Sequence, residues 1–211
     1  MNLQKLSDHT VDVDLLPETG WALDIGCRGF GWSRDILRLR PGMMVLAFDP
    51  DPEIEAPTTA GIAFARAAVW HGYVDRLPFV AEGEAGHVLT LAELHERRPS
   101  HILVDGVDIA NVCSKGPKAM ATWLPDRYAV VKLDCEGSEF GILENWPHRM
   151  ADQISVEFHD YLDRARRNDK YFADLFAGPL KDYRVVQHEL TPVGPGNTMG
   201  HWDSLLVLRD L

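Results

Sequence analysis

The chain has 211 residues, of which 45% are hydrophobic and 25% are charged, and its formal net charge is −11. This composition is that of a globular protein and excludes disordered, fibrous and collagen-like chains. The excess of acid argues against nucleic acid or an anionic membrane surface as the main partner, because both are bound largely through cationic side chains. The length predicts one domain over residues 1–211 with room for an insertion.

Short apolar runs alternate with helical stretches, which predicts βαβ units built around a parallel sheet. The first third of the chain has three predicted strands and one helix: strands at 21–25, 43–48 and 62–70, and a helix at 32–40. Residues 71–100 fit the alternation poorly and are interpreted as an irregular insertion. Its local candidates are strands or a hairpin at 73–80 and 87–91, and a short helix at 91–98.

The second half of the chain repeats the alternation. Three strands are predicted at 101–109, 128–134 and 153–159, and three helices at 118–124, 138–146 and 164–176. The basic stretch 163–172 is interpreted as a solvated helix face or as a flap over an anionic substrate. The last two strands, at 183–190 and 203–208, are joined by a loop rich in glycine and proline with no helix between them. They therefore predict an antiparallel hairpin at the end of the sheet.

The cysteines and the apolar runs indicate where the protein resides. Cys27, Cys113 and Cys135 are scattered, which predicts neither a disulfide framework nor a CxxC metal site. No apolar run approaches the roughly 20 residues of a membrane-spanning helix. The acidic N-terminal segment does not have the pattern of a secretory signal. We therefore expect a reduced, cytoplasmic protein.

A glycine cluster follows the first predicted strand, in the segment ALDIGCRGFGWS. Its G-x-x-G-x-G order reverses the dinucleotide fingerprint, and it lacks the Lys-Ser/Thr of a phosphate-binding loop. Asp24 at the strand end would repel a pyrophosphate and attract an ammonium group. This favours S-adenosylmethionine, which has a positive amino-acid end and no phosphate. The alternative is a glycine-rich turn with a structural role.

Asp49 closes the second predicted strand. An acid at this point of a nucleotide-binding α/β unit accepts hydrogen bonds from ribose hydroxyls. Asp51 is a rival for this role, and a turn acid before proline is the structural alternative. We favour Asp49 because it lies at the carboxyl end of the strand, where such sheets bind ligands.

Charged residues end the strand at 128–134. Strand alternation puts Lys132, Asp134 and Glu136 on one side. They either face a ligand, or form a Lys132–Asp134 ion pair with Glu136 in the turn and Ser138 or Glu139 serving the next helix. In the following strand, Glu157 and His159 share one face close to its end.

These segments together resemble one family. DIGCRGFGWS, AFDP, VVKLDCEGSEFGILENW, ISVEFHD and WDSLLVL occur in order between residues 22 and 208, as in the FkbM-type S-adenosylmethionine-dependent methyltransferases. The most specific part is K-x-D-x-E-G-x-E-x-x-x-L, matched by Lys132, Asp134, Glu136, Gly137, Glu139 and Leu143. Residues 71–100 have no match, and Cys27-Arg28-Gly29-Phe30 stands where the family commonly has Ala-Asn-x-Gly.

The resemblance implies the class I methyltransferase fold. This is a Rossmann-like three-layer sandwich whose seven-stranded, mostly parallel sheet has the order 3-2-1-4-5-7-6, with strand 7 antiparallel. It also implies methyl transfer from S-adenosylmethionine to a hydroxyl of a sugar or another small molecule. Asp134, Glu136 and His159 are candidates for the base that removes the hydroxyl proton. They are equally candidates for the ligands of a divalent cation, whose presence stays open.

The candidate cofactor-binding residues follow the first strands: Asp24, Gly26, Cys27, Arg28, Gly29, Asp49, Pro50 and Ala68. Two other functions stay open. One is a catalytically idle module that binds S-adenosylmethionine and acts through partners. The other is an NAD-type oxidoreductase, which the glycine spacing disfavours. The sequence predicts neither the methyl acceptor nor the oligomeric state.

Overall fold

The computed structural model describes residues 1–72, 74–81, 86–89, 101–113, 123–159, 169–192 and 200–211. In chain order the strands are β1 (Leu3–Leu6), β2 (His9–Asp12), β3 (Thr19–Ile25), β4 (Gly42–Phe48), β5 (Ile62–Ala65), β6 (Ala68–Trp70), β7 (Arg76–Val80), β8 (His87–Val88), β9 (Ile102–Asp108), β10 (Tyr128–Leu133), β11 (Ala151–Phe158), β12 (Tyr183–Pro192) and β13 (Gly200–Leu208). The α-helices are α1 (Gly31–Leu39), α2 (Glu139–Glu144) and α3 (Asp169–Ala177).

The main sheet has seven strands in the order β12-β13-β11-β10-β3-β4-β5. β10 is parallel to both β3 and β11, and β13 is antiparallel to both of its neighbours. Counted within this sheet, the order is 3-2-1-4-5-7-6, as the family resemblance implies. The predicted class I methyltransferase fold, a Rossmann-like α/β architecture, is confirmed, and so is the antiparallel hairpin at its edge.

The two faces of the sheet are covered differently, as the alternation of side chains along the strands requires. Leu23 belongs to the larger apolar core, which also contains residues of α2 and is flanked by aromatic side chains of α3. Ala22 faces the other way and packs with Trp32 and Ile36 of α1. Full burial of each large aliphatic or aromatic side chain stabilises the fold by about 1.5–3 kcal/mol. Helices therefore lie on both faces of the sheet.

The strand predicted at 62–70 is divided between two sheets. β5 lies at the edge of the main sheet, whereas β6 pairs in parallel with β9 in a smaller sheet of order β6-β9-β7-β8. The Ala67 N–H donates to the Ala65 carbonyl at 3.0 Å, and this tight turn ends the first strand. The continuous strand predicted from the apolar run was wrong because periodicity does not show a local turn.

The segment interpreted as an irregular insertion contains two described strands. β7 pairs antiparallel with both β8 and β9, so residues 76–80 and 87–88 belong to the smaller sheet. The helix predicted at 91–98 lies outside the described residues, as do 118–122 and 163–168 of the predicted helical stretches. No helix among the described residues is long and apolar enough to cross a membrane.

The N-terminal hairpin β1–β2 was not predicted from the sequence. Its two strands, LQKL and HTVD, do not alternate apolar and polar residues, so they lack the pattern of a half-buried strand. β2 packs against β11 and β13. Two hydrogen bonds connect β2 to the Gln153 side chain of β11. This side chain accepts the Asp12 N–H at 2.8 Å and donates to the Asp12 carbonyl at 3.1 Å. The hairpin thereby covers the polar part of the sheet face and brings His9 to it.

Candidate active site

The first glycine of the loop after β3, Gly26, lies against the backbone of a neighbouring strand. Gly26 has φ +78, and a Cβ there would lie 1.6 Å from the Asp134 carbonyl oxygen. The loop thus crosses directly against the end of β10, which leaves no room for a side chain. Gly26 also lines the cleft described below, so its cofactor contact stays a prediction, whereas its need for glycine is explained by the backbone of β10.

Two other residues of this loop differ in their surroundings. A Cβ at Gly29 would meet no atom within 4 Å, so open space lies beside the backbone there. Cys27 is buried, and its N–H donates to the Phe48 carbonyl at 3.1 Å. Burial, followed by the nearby Asp24 carboxylate, raises the pKa of the Cys27 thiol well above its ordinary value. Buried thiols with a raised pKa are poor nucleophiles, which favours a packing role for the Cys27 side chain, while its predicted cofactor contact stays a prediction.

A cleft lies at the carboxyl ends of β3, β4 and β10. It encloses about 660 Å³, part of it open to solvent. The predicted site residues that line it are Gly26, Arg28, Asp49, Pro50, Ala68, Asp134 and Glu136. Four predicted residues do not line it: Asp24, Cys27, Gly29 and His159.

Asp49 organises the loop that borders this cleft. Its carboxylate accepts the backbone N–H of Arg28 and that of Asp51, both at 3.0 Å. Burial is the main reason why its pKa is raised, although these two hydrogen bonds oppose it. Asp51 also lines the cleft and is buried, and it accepts the Glu53 N–H at 2.9 Å. Both carboxylates thus stand where a ribose contact was predicted.

Asp24 is held by protein groups. Its carboxylate is fully buried, accepts the Ser33 hydroxyl at 2.5 Å and lies 3.3 Å from the Lys132 ammonium. The parallel register pairs Asp24 with Lys132 across β3 and β10, which explains the contact. Where we expected the ammonium of a ligand beside Asp24, the structure has the ammonium of Lys132.

Lys132 connects the two strand-end carboxylates. Its ammonium lies 3.2 Å from Asp134 Oδ2 and donates to the Gly26 carbonyl at 2.6 Å. Burial lowers the pKa of Lys132, but Asp24 and Asp134 outweigh it and hold that pKa above its ordinary value. Lys132 is therefore charged, and the predicted Lys132–Asp134 ion pair is present.

Glu136 occupies a strained position at the edge of the cleft. Its φ of 51 lies in the left-handed region, and Gly137 follows with φ 98. A non-glycine residue in this conformation costs of order 1–3 kcal/mol, and such strain is often found at functional sites. Glu136 lines the cleft, and its partly buried carboxylate lies within 4.8 Å of donor atoms of Asp134 and His159.

Glu139 anchors this region from the first turn of α2. Its fully buried carboxylate accepts the N–H groups of Cys135 at 2.7 Å and Gly137 at 2.8 Å. It also lies 3.0 Å from His159 Nδ1. The sequence suggested Glu139 as a helix-terminal residue, but its bond to His159 depends on the packing of α2 against β11.

The structure brings the three predicted catalytic residues together. His159 Nε2 lies 3.5 Å from Glu136 Oε2 and 3.9 Å from Asp134 Oδ1, and 3.4 Å from Glu157 Oε1. Burial lowers the pKa of His159, but Glu139, Glu157 and Glu136 outweigh it and raise that pKa well above its ordinary value. His159 is 3% exposed and lies behind the carboxylates that line the cleft.

Two histidines of this cluster were missed by the sequence analysis. His9 is buried, with Nε2 3.4 Å from Asp134 Oδ2 and Nδ1 3.3 Å from Ser155 Oγ. His201 Nδ1 lies 3.0 Å from Glu157 Oε1. A signal existed for His201, because it lies two residues before Asp203, where the predicted strand begins, and the strand of the structure starts at Gly200. No comparable signal existed for His9, which reaches the site through the unpredicted hairpin.

Comparisons with known proteins give weak likenesses. No family model matches the sequence, and no curated protein matches it. Among solved structures, the Methanococcus jannaschii fibrillarin pre-rRNA processing protein is 12% identical with a TM-score of 0.48, over 95% of this chain and 70% of its own. CalO1, a methyltransferase of calicheamicin biosynthesis in an SAH-bound form, is 13% identical with a TM-score of 0.42, over 91% of this chain and 50% of its own.

A third solved structure is similar over nearly the whole of this chain. Human N-acetylserotonin methyltransferase in complex with SAM is 14% identical with a TM-score of 0.39, over 94% of this chain and 49% of its own. This chain thus spans about half the length of two of the three proteins.

Proposed function

We propose that the protein transfers a methyl group from S-adenosylmethionine to a hydroxyl of a small molecule. The observation that carries this proposal is the position of the cleft in the strand order. The sheet reverses its order between β3 and β10, and the cleft lies outside the carboxyl ends of these two strands. In open α/β sheets, ligands bind at this switch point.

The finer assignment draws on the sequence. The segment with Lys132, Asp134, Glu136 and Glu139 is the part that resembles FkbM-type methyltransferases, and it borders the cleft. The net charge of −11 supports a small-molecule acceptor over nucleic acid or a membrane surface. A cytoplasmic location is part of the same proposal.

Methyl transfer to a hydroxyl requires an aligned acceptor oxygen and a base that removes its proton. The methyl on a sulfonium is already activated, so the protein chiefly holds the acceptor oxygen in line with it. A positioned base then removes the hydroxyl proton as the new bond forms. We assign this role to Glu136, which faces the cleft. Burial raises the pKa of Asp134, but Lys132 and His9 outweigh it and hold that pKa well below its ordinary value, which makes Asp134 a weaker base.

Calorimetric titration tests the cofactor assignment. S-adenosylhomocysteine should bind one equivalent, whereas NADH under the same conditions should not. Binding of NADH with no binding of S-adenosylhomocysteine would favour the oxidoreductase. Release of S-adenosylhomocysteine from S-adenosylmethionine over a panel of hydroxylated metabolites then tests transfer. Binding without turnover on any of them would favour the idle module.

Glu136→Gln tests the base. Turnover should fall by about 10²–10⁴, the usual worth of a positioned base, while affinity for S-adenosylhomocysteine and the melting temperature stay close to wild type. Glu144→Gln is the matched control, because Glu144 is an exposed glutamate at the far end of α2. Equal turnover in the two variants would remove Glu136 from the mechanism.

A further inference from the structure

Four polar side chains from separate parts of the chain converge beside the cleft. His9 comes from the N-terminal hairpin, Asp134 from the end of β10, and Glu157 and His159 from the end of β11. His9 Nε2 lies 3.4 Å from Asp134 Oδ2 and 3.9 Å from Glu157 Oε2. His159 Nε2 lies 3.9 Å from Asp134 Oδ1 and 3.4 Å from Glu157 Oε1. Both imidazoles therefore face the same two carboxylates.

These separations are longer than the about 2.7–2.9 Å typical of N⁺–H···O⁻ bonds. Direct bonds of normal length do occur in the same cluster: His159 Nδ1 to Glu139 and His201 Nδ1 to Glu157 are both 3.0 Å. Ligand atoms bound tetrahedrally to one ion at about 2.05 Å lie about 3.3 Å apart. The observed distances are closer to the spacing of metal ligands than to that of ion pairs.

The second ring nitrogen of each histidine has a partner outside the four residues. His159 Nδ1 lies 3.0 Å from the buried Glu139 carboxylate, and His9 Nδ1 lies 3.3 Å from Ser155 Oγ. A carboxylate or hydroxyl at Nδ1 fixes the ring orientation of metal-binding histidines and increases their basicity. His9 Nε2 is thus oriented toward Asp134 Oδ2 and Glu157 Oε2 as a metal ligand would be.

The charges also balance with a divalent ion. The donor atoms of His9, Asp134 and Glu157 lie within 4.8 Å of one another. Two carboxylates so close repel each other, so this cluster needs positive charge, either from protonated imidazoles in the metal-free protein or from a bound cation. Lys132 forms an ion pair with Asp134, but it also pairs with Asp24, so its single charge is shared between two carboxylates. A divalent cation supplies the two positive charges.

We propose that a divalent transition-metal ion binds His9, Asp134 and Glu157, whose donor atoms lie within 4.8 Å of one another, while His159 contacts the opposite oxygens of the two carboxylates beside it. The mixed nitrogen and oxygen donors favour ions such as Zn²⁺, Mn²⁺ or Co²⁺ over Mg²⁺ and Ca²⁺, which prefer oxygen donors. Use of the ion to hold the acceptor hydroxyl beside the methyl group rests on the proposed function, whereas its binding does not.

Titration of tag-free, EDTA-stripped protein with Co²⁺, Zn²⁺ and Mn²⁺ in the absence of cofactor tests the proposal. We expect one ion per chain and, with Co²⁺, a visible d–d absorption band. Absence of saturable binding of all three ions overturns the site, with His9 and His159 then protonated partners of the carboxylates. Titration of the metal-free protein with S-adenosylhomocysteine is separate, so failure of the metal site and failure of the proposed function are distinguished.

Variants locate the ion. His9→Ala and Glu157→Gln should each weaken binding at least a hundredfold, and Ser155→Ala, which removes the hydroxyl beside His9 Nδ1, about 10–100-fold. His148→Ala is the control, because this histidine is 69% exposed and pairs with Asp182. Equal affinity in His9→Ala and His148→Ala overturns the assignment. If His9→Ala does not fold, His9→Gln, with loss of the Co²⁺ band as the readout, decides between the same two outcomes.

Discussion

Replacement of Gly26 by alanine should destabilise the fold through a collision with the backbone of a neighbouring strand. The new Cβ would lie 1.6 Å from the Asp134 carbonyl oxygen, a separation that real Cβ atoms do not adopt. Neither strand end is free to move. The Asp134 N–H donates to the Ile25 carbonyl at 3.1 Å, and the Gly26 N–H donates to the Phe48 carbonyl at 2.9 Å.

The magnitude has two parts. A side chain in the left-handed region costs about 1–2 kcal/mol relative to glycine. Movement of the loop away from β10 sacrifices hydrogen bonds worth about 1 kcal/mol each, among them the bond from Lys132 to the Gly26 carbonyl. The free energy of unfolding should therefore fall by at least about 3 kcal/mol. For a chain of this size, that loss lowers the melting temperature by about 6–12 °C.

Gly29→Ala is the matched control in the same loop. Its Cβ would meet nothing within 4 Å, and its φ lies outside the left-handed region. We expect a change in unfolding free energy within about 0.5 kcal/mol. Thermal melting followed by circular dichroism, with S-adenosylhomocysteine titration of the folded variants, separates the two residues. A Gly26→Ala protein that melts within about 2 °C of wild type and loses cofactor binding would refute the backbone argument in favour of ligand approach.

The buried charges give further expectations. Lys132→Met should lower the unfolding free energy by about 3–5 kcal/mol in urea denaturation, because it leaves buried Asp24 uncompensated; an unchanged midpoint would contradict this. Asp49→Ala should weaken S-adenosylhomocysteine binding about tenfold or more in calorimetry; unchanged affinity would exclude the ribose contact. The pKa values of Asp134 and Glu157 are lowered by cationic neighbours despite burial, so they stabilise the metal-free fold above pH ~4, and stability should fall as pH drops from about 5 to 2. A flat profile in EDTA would refute this.

Much of the fold follows from local patterns in the sequence. The run AVVKL has the β-branched residues and length of a buried strand, and it forms β10. The helix predicted at 32–40 forms as α1 because its apolar residues recur at helical spacing and Pro41 ends it. The two consecutive strands at the end of the chain predicted the hairpin of β12 and β13. Each of these signals lies within a few consecutive residues, so it can be recognised from one segment of the chain alone.

Strand alternation also predicted which charged residues share a face. Lys132 and Asp134 follow a period of two along β10, and Glu157 and His159 follow it along β11. The parallel pairing of β10 with β11 then brings the ends of both strands to one edge of the sheet. The grouping of Asp134, Glu136 and His159 was therefore accessible from the sequence once the two strands were taken as neighbours.

The tertiary structure decided what each of these residues contacts. Gly26 faces the Asp134 carbonyl because β3 and β10 are neighbours in the sheet, although they are far apart in the chain. Asp24 meets Lys132 for the same reason. Periodicity describes one segment at a time, so it cannot distinguish a carboxylate that binds a ligand from one that forms an ion pair with a buried lysine.

His9 shows the same limit most clearly. Nothing in the segment SDHTVD marks a histidine that reaches the site, since its position depends on a four-residue strand packed across β11 and β13. That packing is fixed by contacts such as those between Asp12 and Gln153. The sequence by itself determined the order of strands and helices and the polar ends of β10 and β11. Long-range packing decided which histidines and carboxylates meet, because those distances depend on segments that are remote along the chain.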